Sequence, residues 1–263
     1  MFKATAVRLR EILPRSFRQQ LVRVGRFFTP KITPDTPLRE VTFPSLEGAF
    51  ISLKMRGFKP RLILDIGAYQ GDWAILAHEY FPESSLIMFE AQEDKRNTLE
   101  NLCKKAGGWL ECRMALLGSE TGRTVKFAEM ETGSSVYEEN SPYHRKVITR
   151  TITSLDDLLQ DDTRVVDFIK LDVQGYELEV LRGAKTRLKQ AQVVLMESSL
   201  IPINLGAPLI DDVVEFMRNH DYRLVDFCSQ IRRLDGALWQ TDLLFIRKNS
   251  PYLPSEQLSK ENW

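Results

Sequence analysis

The chain has 263 residues, enough for one large α/β domain with extensions, and its 43% apolar and 27% charged residues are usual for a globular protein in water. Its 36 basic residues balance its 36 acidic residues, so no net field favours nucleic acid as a partner. No apolar run approaches the roughly 18 residues of a membrane-spanning helix, and the long apolar core of a secretory signal is absent. The three cysteines form no CxxC pair, which disfavours a disulfide scaffold or a zinc site and favours reduced thiols in the cytoplasm.

The first 31 residues carry eight basic side chains and a single acid, Glu11, with apolar residues at near-helical spacing among them. Pro14 favours two short helices over one continuous helix. Two interpretations stay open: a basic arm that rests on the anionic inner surface of a membrane, or helices packed on the domain with their basic face in solvent. Residues 29–44 contain four prolines and predict a linker. We therefore expect a helical arm and Pro-rich linker over residues 1–44.

From residue 46 onward, apolar runs of strand length alternate with amphipathic helical stretches. The predicted strands cover residues 62–66, 85–90, 110–117, 123–129, 147–153, 165–171, 192–197, 222–227 and 242–247. The predicted helices cover residues 46–56, 72–80, 92–106, 175–189 and 208–220. Short, almost wholly apolar strands are typical of parallel sheets buried on both faces, so the alternation predicts a doubly wound, Rossmann-like α/β fold.

Two departures from this alternation are expected. Between residues 110 and 153, consecutive strands with glycine turns predict an antiparallel insertion. At the other end of the chain, the pattern stops after the last strand. We expect the cofactor-binding domain to span residues 45–250 and a C-terminal tail to span residues 251–263.

The sequence DIGAYQG at residues 65–71 follows the first predicted strand, at the edge where doubly wound sheets bind ligands. Gly67 allows a tight turn, and Gly71 allows the next helix to begin close to a ligand. The spacing DxGxxxG is neither the dinucleotide motif GxGxxG nor a P-loop, and the P-loop lysine is missing. Ala68 and Tyr69 belong to the same candidate ligand loop.

Glu90 ends the second predicted strand, followed by Ala91, and an acid at that point can accept hydrogen bonds from both ribose hydroxyls of an adenosine. Asp65 is placed to bind a ligand ammonium, directly or through water, and would repel a pyrophosphate. S-adenosylmethionine carries an adenosine, an ammonium and a sulfonium but no phosphate, so this pattern favours it over NAD. Ala115 and Ser135 either contact the adenine and the methionine moiety, respectively, or are a strand end and a solvent turn.

Methyl transfer to a hydroxyl benefits from a general base within hydrogen-bond reach of the acceptor. Asp172, at the end of VVDFIKL, is the first candidate, and Glu197, which ends VVLME, is the second. Lys170 and Glu177 either join Asp172 around the acceptor, or Lys170 makes a structural ion pair with Asp172 and Glu177 interacts with the first turn of its helix as an N-terminal acid. His144 lies in an irregular polar stretch and is a candidate base on a lid. No HxH or HExxH pattern occurs, so no dedicated metal site is predicted, although Mg²⁺ at Asp172 stays open.

Four segments carry the most specific pattern of the chain. They are DIGAYQG at residues 65–71, FEAQ at 89–92, IKLDVQGYELEVLRGA at 169–184 and WQTDLLFIR at 239–247. Together they resemble the FkbM family of S-adenosylmethionine-dependent methyltransferases, over roughly residues 45–247. The resemblance implies a class I methyltransferase fold, whose seven-stranded sheet has a reversed last strand, and O-methylation of a sugar or another natural-product hydroxyl. By matching positions, it assigns cofactor binding to Asp65, Gly67, Gly71 and Glu90. Many members have Glu where this chain has Gln174.

Two other functions remain open from the sequence alone: a nicotinamide-dependent oxidoreductase on a Rossmann-like sheet, and a non-catalytic cofactor-binding protein. The first needs a glycine-rich pyrophosphate turn, which DIGAYQG supplies poorly. Nucleic-acid methylation is disfavoured because the core region has no basic–aromatic stripe. We expect a small-molecule or glycan acceptor and a cytoplasmic location, with any peripheral membrane contact made through residues 1–31.

Overall fold

The computed structural model describes residues 32–140 and 144–257. The predicted basic arm at residues 1–31 lies outside the described residues, so its helices and its membrane contact stay predictions. None of the helices in the described residues combines the length and the apolar character that a membrane span requires.

The described residues form eleven strands. In chain order they are β1 (Leu62–Ile66), β2 (Ser85–Glu90), β3 (Leu110–Met114), β4 (Leu116–Leu117), β5 (Thr124–Glu129), β6 (Lys146–Thr153), β7 (Phe168–Leu171), β8 (Val193–Ser199), β9 (Tyr222–Phe227), β10 (Ile231–Arg232) and β11 (Leu238–Arg247). The α-helices of the same residues are α1 (Leu46–Met55), α2 (Asp72–Tyr80), α3 (Arg96–Lys105), α4 (Leu155–Leu158), α5 (Glu177–Arg182), α6 (Lys185–Gln190) and α7 (Ile210–Asn219).

The central sheet has the order β3–β2–β1–β7–β8–β11, and β9 and β10 both pair with β11. The first five of these strands are mutually parallel. β11 runs antiparallel to both β8 and β9. The predicted doubly wound class I arrangement with a reversed last strand is therefore confirmed, and the two-residue β10 is added to the expected seven strands.

Side chains of β1 alternate between two apolar clusters, one on each face of the sheet. Leu64 and Ile66 lie in the cluster that also contains residues of α4 to α7. Ile63 lies in the other cluster, together with residues of α1, α2 and α3. Because β1 is buried at every position, it reads as a continuous apolar run with a single acid, Asp65. The fold is thus three layers, with helices on both faces of the sheet.

The predicted insertion is a small second sheet in the order β4–β6–β5, in which β5 and β6 pair antiparallel and β4 pairs parallel with β6. The expected strand 110–117 is divided at Ala115. The backbone N–H of Ala115 donates to the carbonyl of Glu90 at the end of β2, and the next two residues pair with β6 instead. Phe127 of β5 packs in the core cluster of the main sheet. The insertion therefore packs against the main sheet beside the end of β2.

The expected helix 175–189 is also divided, into α5 and α6, and the reason lies in α4. The backbone N–H of Asp156 donates to the carbonyl of Gly183, which removes that carbonyl from helical bonding. The Asp156 carboxylate then accepts hydrogen bonds from the N–H groups of Thr186 (2.7 Å) and Arg187 (3.2 Å), at the start of α6. A carboxylate at that place satisfies free N–H groups of the new helix.

Candidate cofactor and acceptor site

A cleft opens at the carboxyl edge of the parallel strands and contains about 1070 Å³ of space, part of it continuous with solvent. It lies where β1, β2 and β7 end, which is the ligand position of doubly wound sheets. Six of the residues predicted to bind the cofactor line it: Gly67, Ala68, Tyr69, Glu90, Ala91 and Ala115. Three of the four predicted catalytic residues line it too, namely Lys170, Asp172 and Glu197.

The loop after β1 turns at Gly67, whose φ is +80°. The N–H groups of Gly67 (2.9 Å) and Ala68 (3.1 Å) both donate to the carbonyl of Phe89, which ties the loop to β2. A Cβ atom on Gly67 would lie 1.9 Å from the backbone oxygen of Asp172. Glycine is therefore required here both for its conformation and because it lets the loops after β1 and β7 touch.

Glu90 is held in a fixed orientation at the end of β2. Its carboxylate accepts hydrogen bonds from the backbone N–H groups of Tyr69 (2.7 Å) and Gln92 (2.8 Å). Burial raises the pKa of Glu90 above its usual value, against the effect of these donors. A carboxylate has about four acceptor positions, so this one keeps capacity for the ribose hydroxyls that the sequence assigns to it.

Asp65 and Lys170 are register partners on the adjacent strands β1 and β7, and their side chains form a buried ion pair of 2.9 Å. The Lys170 ammonium also donates to the carbonyl of Gly67 (2.9 Å). Burial lowers the pKa of Lys170, but the carboxylates of Asp65 and Asp172 outweigh it and the net shift is upward. Lys170 is consequently a fixed cation and not a base.

This ion pair changes the role expected for Asp65. The side chain has no solvent exposure and is not among the residues that line the cleft. One oxygen of Asp65 accepts a hydrogen bond from Lys170, and the side chain is separated from the cleft, so the expected contact with a ligand ammonium, directly or through water, stays a prediction. Lys170 thus makes a structural ion pair, as one alternative given above expected, but its partner is Asp65 and not Asp172.

Three further predicted residues do not line the cleft. A Cβ atom on Gly71 would lie 2.5 Å from Leu102, so this glycine serves the close packing of α2 on α3. The Ser135 hydroxyl donates to the backbone oxygen of Gln174 (2.8 Å) and so supports the loop after β7. His144 is exposed and lies outside the cleft lining, so the expected base on a lid is not placed over the site.

A cluster of carboxylates and carboxamides forms the polar end of the cleft. The Gln174 amide nitrogen lies 2.9 Å from Asp172 Oδ1 and 2.7 Å from Glu197 Oε2. The amide nitrogen of Gln240 lies 3.0 Å from the same oxygen of Glu197. The structure thus brings both candidate bases together through the amide of Gln174, while the amide of Gln240 contacts Glu197 alone.

The turn Glu131–Gly133, between β5 and β6, also enters the site. Glu131 lines the cleft and accepts hydrogen bonds from the Tyr69 hydroxyl and from the Lys95 ammonium (3.0 Å). Sequence reasoning missed this acid, since it follows a strand of the insertion and only the packing of that insertion brings it over the loop after β1. The sequence signal for this part of the site was the predicted glycine turn at Gly133, but that turn favoured the serines that follow it and not Glu131.

The chemistry of the lining fits S-adenosylmethionine. Glu90, Glu131, Asp172 and Glu197 line the cleft, while its one lysine, Lys170, is already paired with Asp65. Such a lining favours a ligand with a sulfonium and an ammonium, and it disfavours one with a pyrophosphate. The loop after β1 and Glu90 would hold the adenosine end, and the sulfonium would lie toward Asp172.

Fold and cleft together define a Rossmann-like class I methyltransferase. The family description "Methyltransferase FkbM domain" matches residues 65–224, and the chain belongs to this family. It is a methyltransferase whose cofactor is S-adenosylmethionine. The nicotinamide-dependent oxidoreductase considered above is therefore wrong.

Several solved structures are similar to this chain at low sequence identity. A putative O-methyltransferase from Klebsiella pneumoniae is 14% identical, with a TM-score of 0.47 over 81% of this chain and 84% of that chain. TrmK of M. capricolum in complex with S-adenosyl-homocysteine is 12% identical, with a TM-score of 0.45 over 84% and 73%. The precorrin-6y C5,15-methyltransferase of Geobacter metallireducens is 12% identical, with a TM-score of 0.44 over 76% and 88%. No curated protein matches the chain significantly.

Proposed function

We propose that the protein is an O-methyltransferase that acts on a hydroxyl of a sugar, a glycan or another small natural product. The observation that carries the proposal is the pair of carboxylates, Asp172 and Glu197, held side by side at the polar end of the cofactor cleft. A neutral alcohol is a weak nucleophile, and a carboxylate within hydrogen-bond reach can accept its proton as the new bond forms. An amine acceptor, once deprotonated, has less need of such a pair.

The same cluster supports a polyhydroxylated acceptor. Asp172 and Glu197 offer acceptor oxygens, and Gln174 and Gln240 add amide groups beside them. Planar groups of this kind suit neighbouring hydroxyls, each of which both donates and accepts a hydrogen bond. The acidic lining is unfavourable for a chain of phosphates, which supports a small-molecule or glycan acceptor over nucleic acid.

In the proposed mechanism, bound S-adenosylmethionine supplies an electrophilic methyl group on its sulfonium. Asp172 orients the acceptor hydroxyl and takes up its proton on a carboxylate oxygen. Glu197 binds an adjacent hydroxyl of the acceptor and fixes its approach. Lys170 neutralises Asp65 beneath the loop after β1 and keeps that loop in place. The contribution of the chain is mainly positioning, which is the usual protein share in group transfer from a reactive cofactor.

Mutation of Asp172 tests this proposal. We expect wild-type protein to transfer label from S-adenosylmethionine to at least one member of a panel of sugars, nucleotide sugars, lipid-linked glycans and polyketides. Asp172→Asn should lower kcat by about 10²- to 10⁴-fold, because the general base is lost. Its calorimetric affinity for S-adenosylhomocysteine should stay within about twofold, since Asp172 contacts the acceptor.

Asp167→Asn is the matched control. Asp167 precedes the same strand, β7, but its carboxylate pairs with Arg61 at the opposite edge of the sheet. Its substitution should leave kcat of the folded protein near the wild-type value. Labelling confined to amine or RNA acceptors, or a wild-type rate in Asp172→Asn, would contradict the proposal.

The proposal places the reaction in the cytoplasm. Cys103, Cys112 and Cys228 are all free thiols, which is the usual state of cysteine in a reducing compartment. A lipid-linked glycan acceptor would agree with contact between residues 1–31 and the membrane surface, and the acceptor panel includes this class for that reason.

A further inference from the structure

We infer that Gln174 is a positioning residue whose amide clamps the two carboxylates of the site, so that Asp172 and Glu197 face the acceptor as one rigid unit. The inference rests on the proposed function, because it concerns the residues that act on the acceptor hydroxyl. It goes further in assigning the arrangement of both acids to a third side chain that carries no charge.

The hydrogen bonds of the Gln174 amide define this clamp. The nitrogen Nε2 lies 2.9 Å from Asp172 Oδ1 and 2.7 Å from Glu197 Oε2. An ionised carboxylate is only an acceptor, so both contacts require N–H donors, and a carboxamide nitrogen has two of them. Each N–H group therefore serves one carboxylate. The amide places two acids close together without a cation between them.

The backbone of Gln174 is held in an uncommon conformation that serves this purpose. Its φ is +54°, and Gly175 follows with a φ of +95°. A non-glycine residue in the left-handed region costs of the order of 1 kcal/mol and persists where its surroundings enforce it. An uncommon conformation at the centre of a site indicates a requirement of that site.

Four hydrogen bonds enforce the conformation. The backbone oxygen of Gln174 accepts from Ser135 Oγ and from Asn204 Nδ2, both at 2.8 Å. On either side of Gln174, the N–H groups of Val173 (2.9 Å) and Gly175 (3.2 Å) donate to the carboxylate of Glu177. Three separate parts of the chain thus fix the loop and direct the Gln174 side chain between the two acids.

Gln240 makes a second, independent hydrogen bond to Glu197. Its Nε2 lies 3.0 Å from the same carboxylate oxygen that Gln174 contacts. Loss of the Gln174 amide therefore leaves Glu197 with a remaining amide donor and leaves Asp172 Oδ1 without the amide that joins it to Glu197. The acid proposed as general base is the one that should move.

Side-chain amide NMR tests the clamp without any acceptor. In ¹⁵N-labelled protein, both Hε resonances of Gln174 should be shifted downfield of those of exposed glutamines and protected from solvent exchange. They are assigned by their loss in Gln174→Met, which has similar length but no donor. Asp172→Asn should shift one of the two resonances and Glu197→Gln the other. Gln190→Met, which removes an amide far from the cleft, should leave both unchanged.

Kinetics then test what the clamp does. With an acceptor identified from the panel, Gln174→Met should lower kcat by about 100-fold, because displacing a reacting group by about 1 Å has an effect of that size. The acceptor KM and the affinity for S-adenosylhomocysteine should change by less than about threefold. A purely structural role would instead lower the melting temperature and leave kcat of the folded fraction unchanged.

The two ideas fail in different ways. If wild-type protein methylates no hydroxyl, the proposed function fails. If the Gln174 amide protons exchange freely at ordinary chemical shifts, or if Gln174→Met keeps the wild-type kcat, the clamp is refuted whatever the acceptor is.

Discussion

Glu177 is a buried acid at the start of α5, and it never reaches the cleft. Its carboxylate instead accepts hydrogen bonds from the backbone N–H groups of Val173 and Gly175 and so fixes the loop after β7. Burial, together with a smaller effect of the nearby charge of Asp172, raises the pKa of Glu177 to about 7 against the opposing effect of the backbone donors. Of the two interpretations given from the sequence, the structural role is the one that the geometry shows, although the donors precede α5 and do not belong to its first turn.

This pKa predicts a pH-dependent stability. Since the folded pKa is about 7 and the unfolded value is 4.5, the stabilising contribution is complete below pH 4.5 and is lost as the pH rises to about 7. A shift of this size corresponds to about 3 kcal/mol. Glu177→Gln stays neutral and should remove the loss. Its free energy of unfolding in urea, minus that of wild type, should increase by this amount across the window, and an unchanged difference would contradict the assignment.

Single residues at strand ends could be predicted from the sequence, but their partners could not. Glu90, Asp172 and Glu197 line the cleft as expected, because strand ends follow from apolar patterning. The pairing of Asp65 with Lys170 depends on which strands are neighbours and on their register. Neither is encoded locally, and this is why Asp65 was assigned to the ligand.

Gln174 shows a different limit of sequence comparison. The resemblance places a Glu at this position in many members, which directs attention to charge. In this chain the position requires N–H donors for two carboxylates, and a carboxylate could not supply them. A substitution that looks conservative in a sequence is thus an exchange of acceptor for donor in the site.

At the scale of elements, the packing of α2 on α3 gives a prediction for Gly71. Both Gly71 (φ +85°) and Gly57 (φ +78°) have left-handed backbone, but only a Cβ on Gly71 would collide, at 2.5 Å from Leu102 and 3.1 Å from Met88. Gly57→Ala therefore measures the backbone strain alone. Gly71→Ala should cost about 1–3 kcal/mol more in urea unfolding, through overpacking. Equal losses in the two variants, with weaker cofactor binding in Gly71→Ala, would restore the ligand role first expected for Gly71.

The boundaries of an element could be predicted where they depend only on the residues of that element. β1, β2 and β9 have the predicted bounds, since each is a short apolar run between turn residues. α5 and α6 were predicted as one helix, because the division is made by Asp156 of α4, which contacts Gly183 and Thr186 from a distance in sequence. A pattern of apolar spacing contains no information about such a contact.

At the scale of the whole molecule, the order of the central sheet followed from alternating strands and helices together with the family resemblance. The placement of the insertion did not. The strands of the insertion were expected. Only the structure shows that Phe127 packs in the main core and that the turn at Glu131 therefore lies over the loop after β1. The cleft is therefore built by two sheets, and the sequence predicted only the wall that belongs to the first.

Cofactor binding should stabilise the entire fold, because the cleft joins both sheets. At a concentration of S-adenosylhomocysteine about 100 times its Kd, the free energy of unfolding should rise by about 2.7 kcal/mol, while NAD should have no effect. Glu90→Gln should reduce this gain. The substitution replaces a charged carboxylate, which accepts hydrogen bonds from the N–H groups of Tyr69 and Gln92 and would accept them from the ribose hydroxyls, by a neutral amide with one acceptor oxygen. Glu93→Gln, an exposed change outside the cleft lining, is the control. A full ligand-induced shift of the melting temperature in Glu90→Gln would place the ribose elsewhere in the cleft.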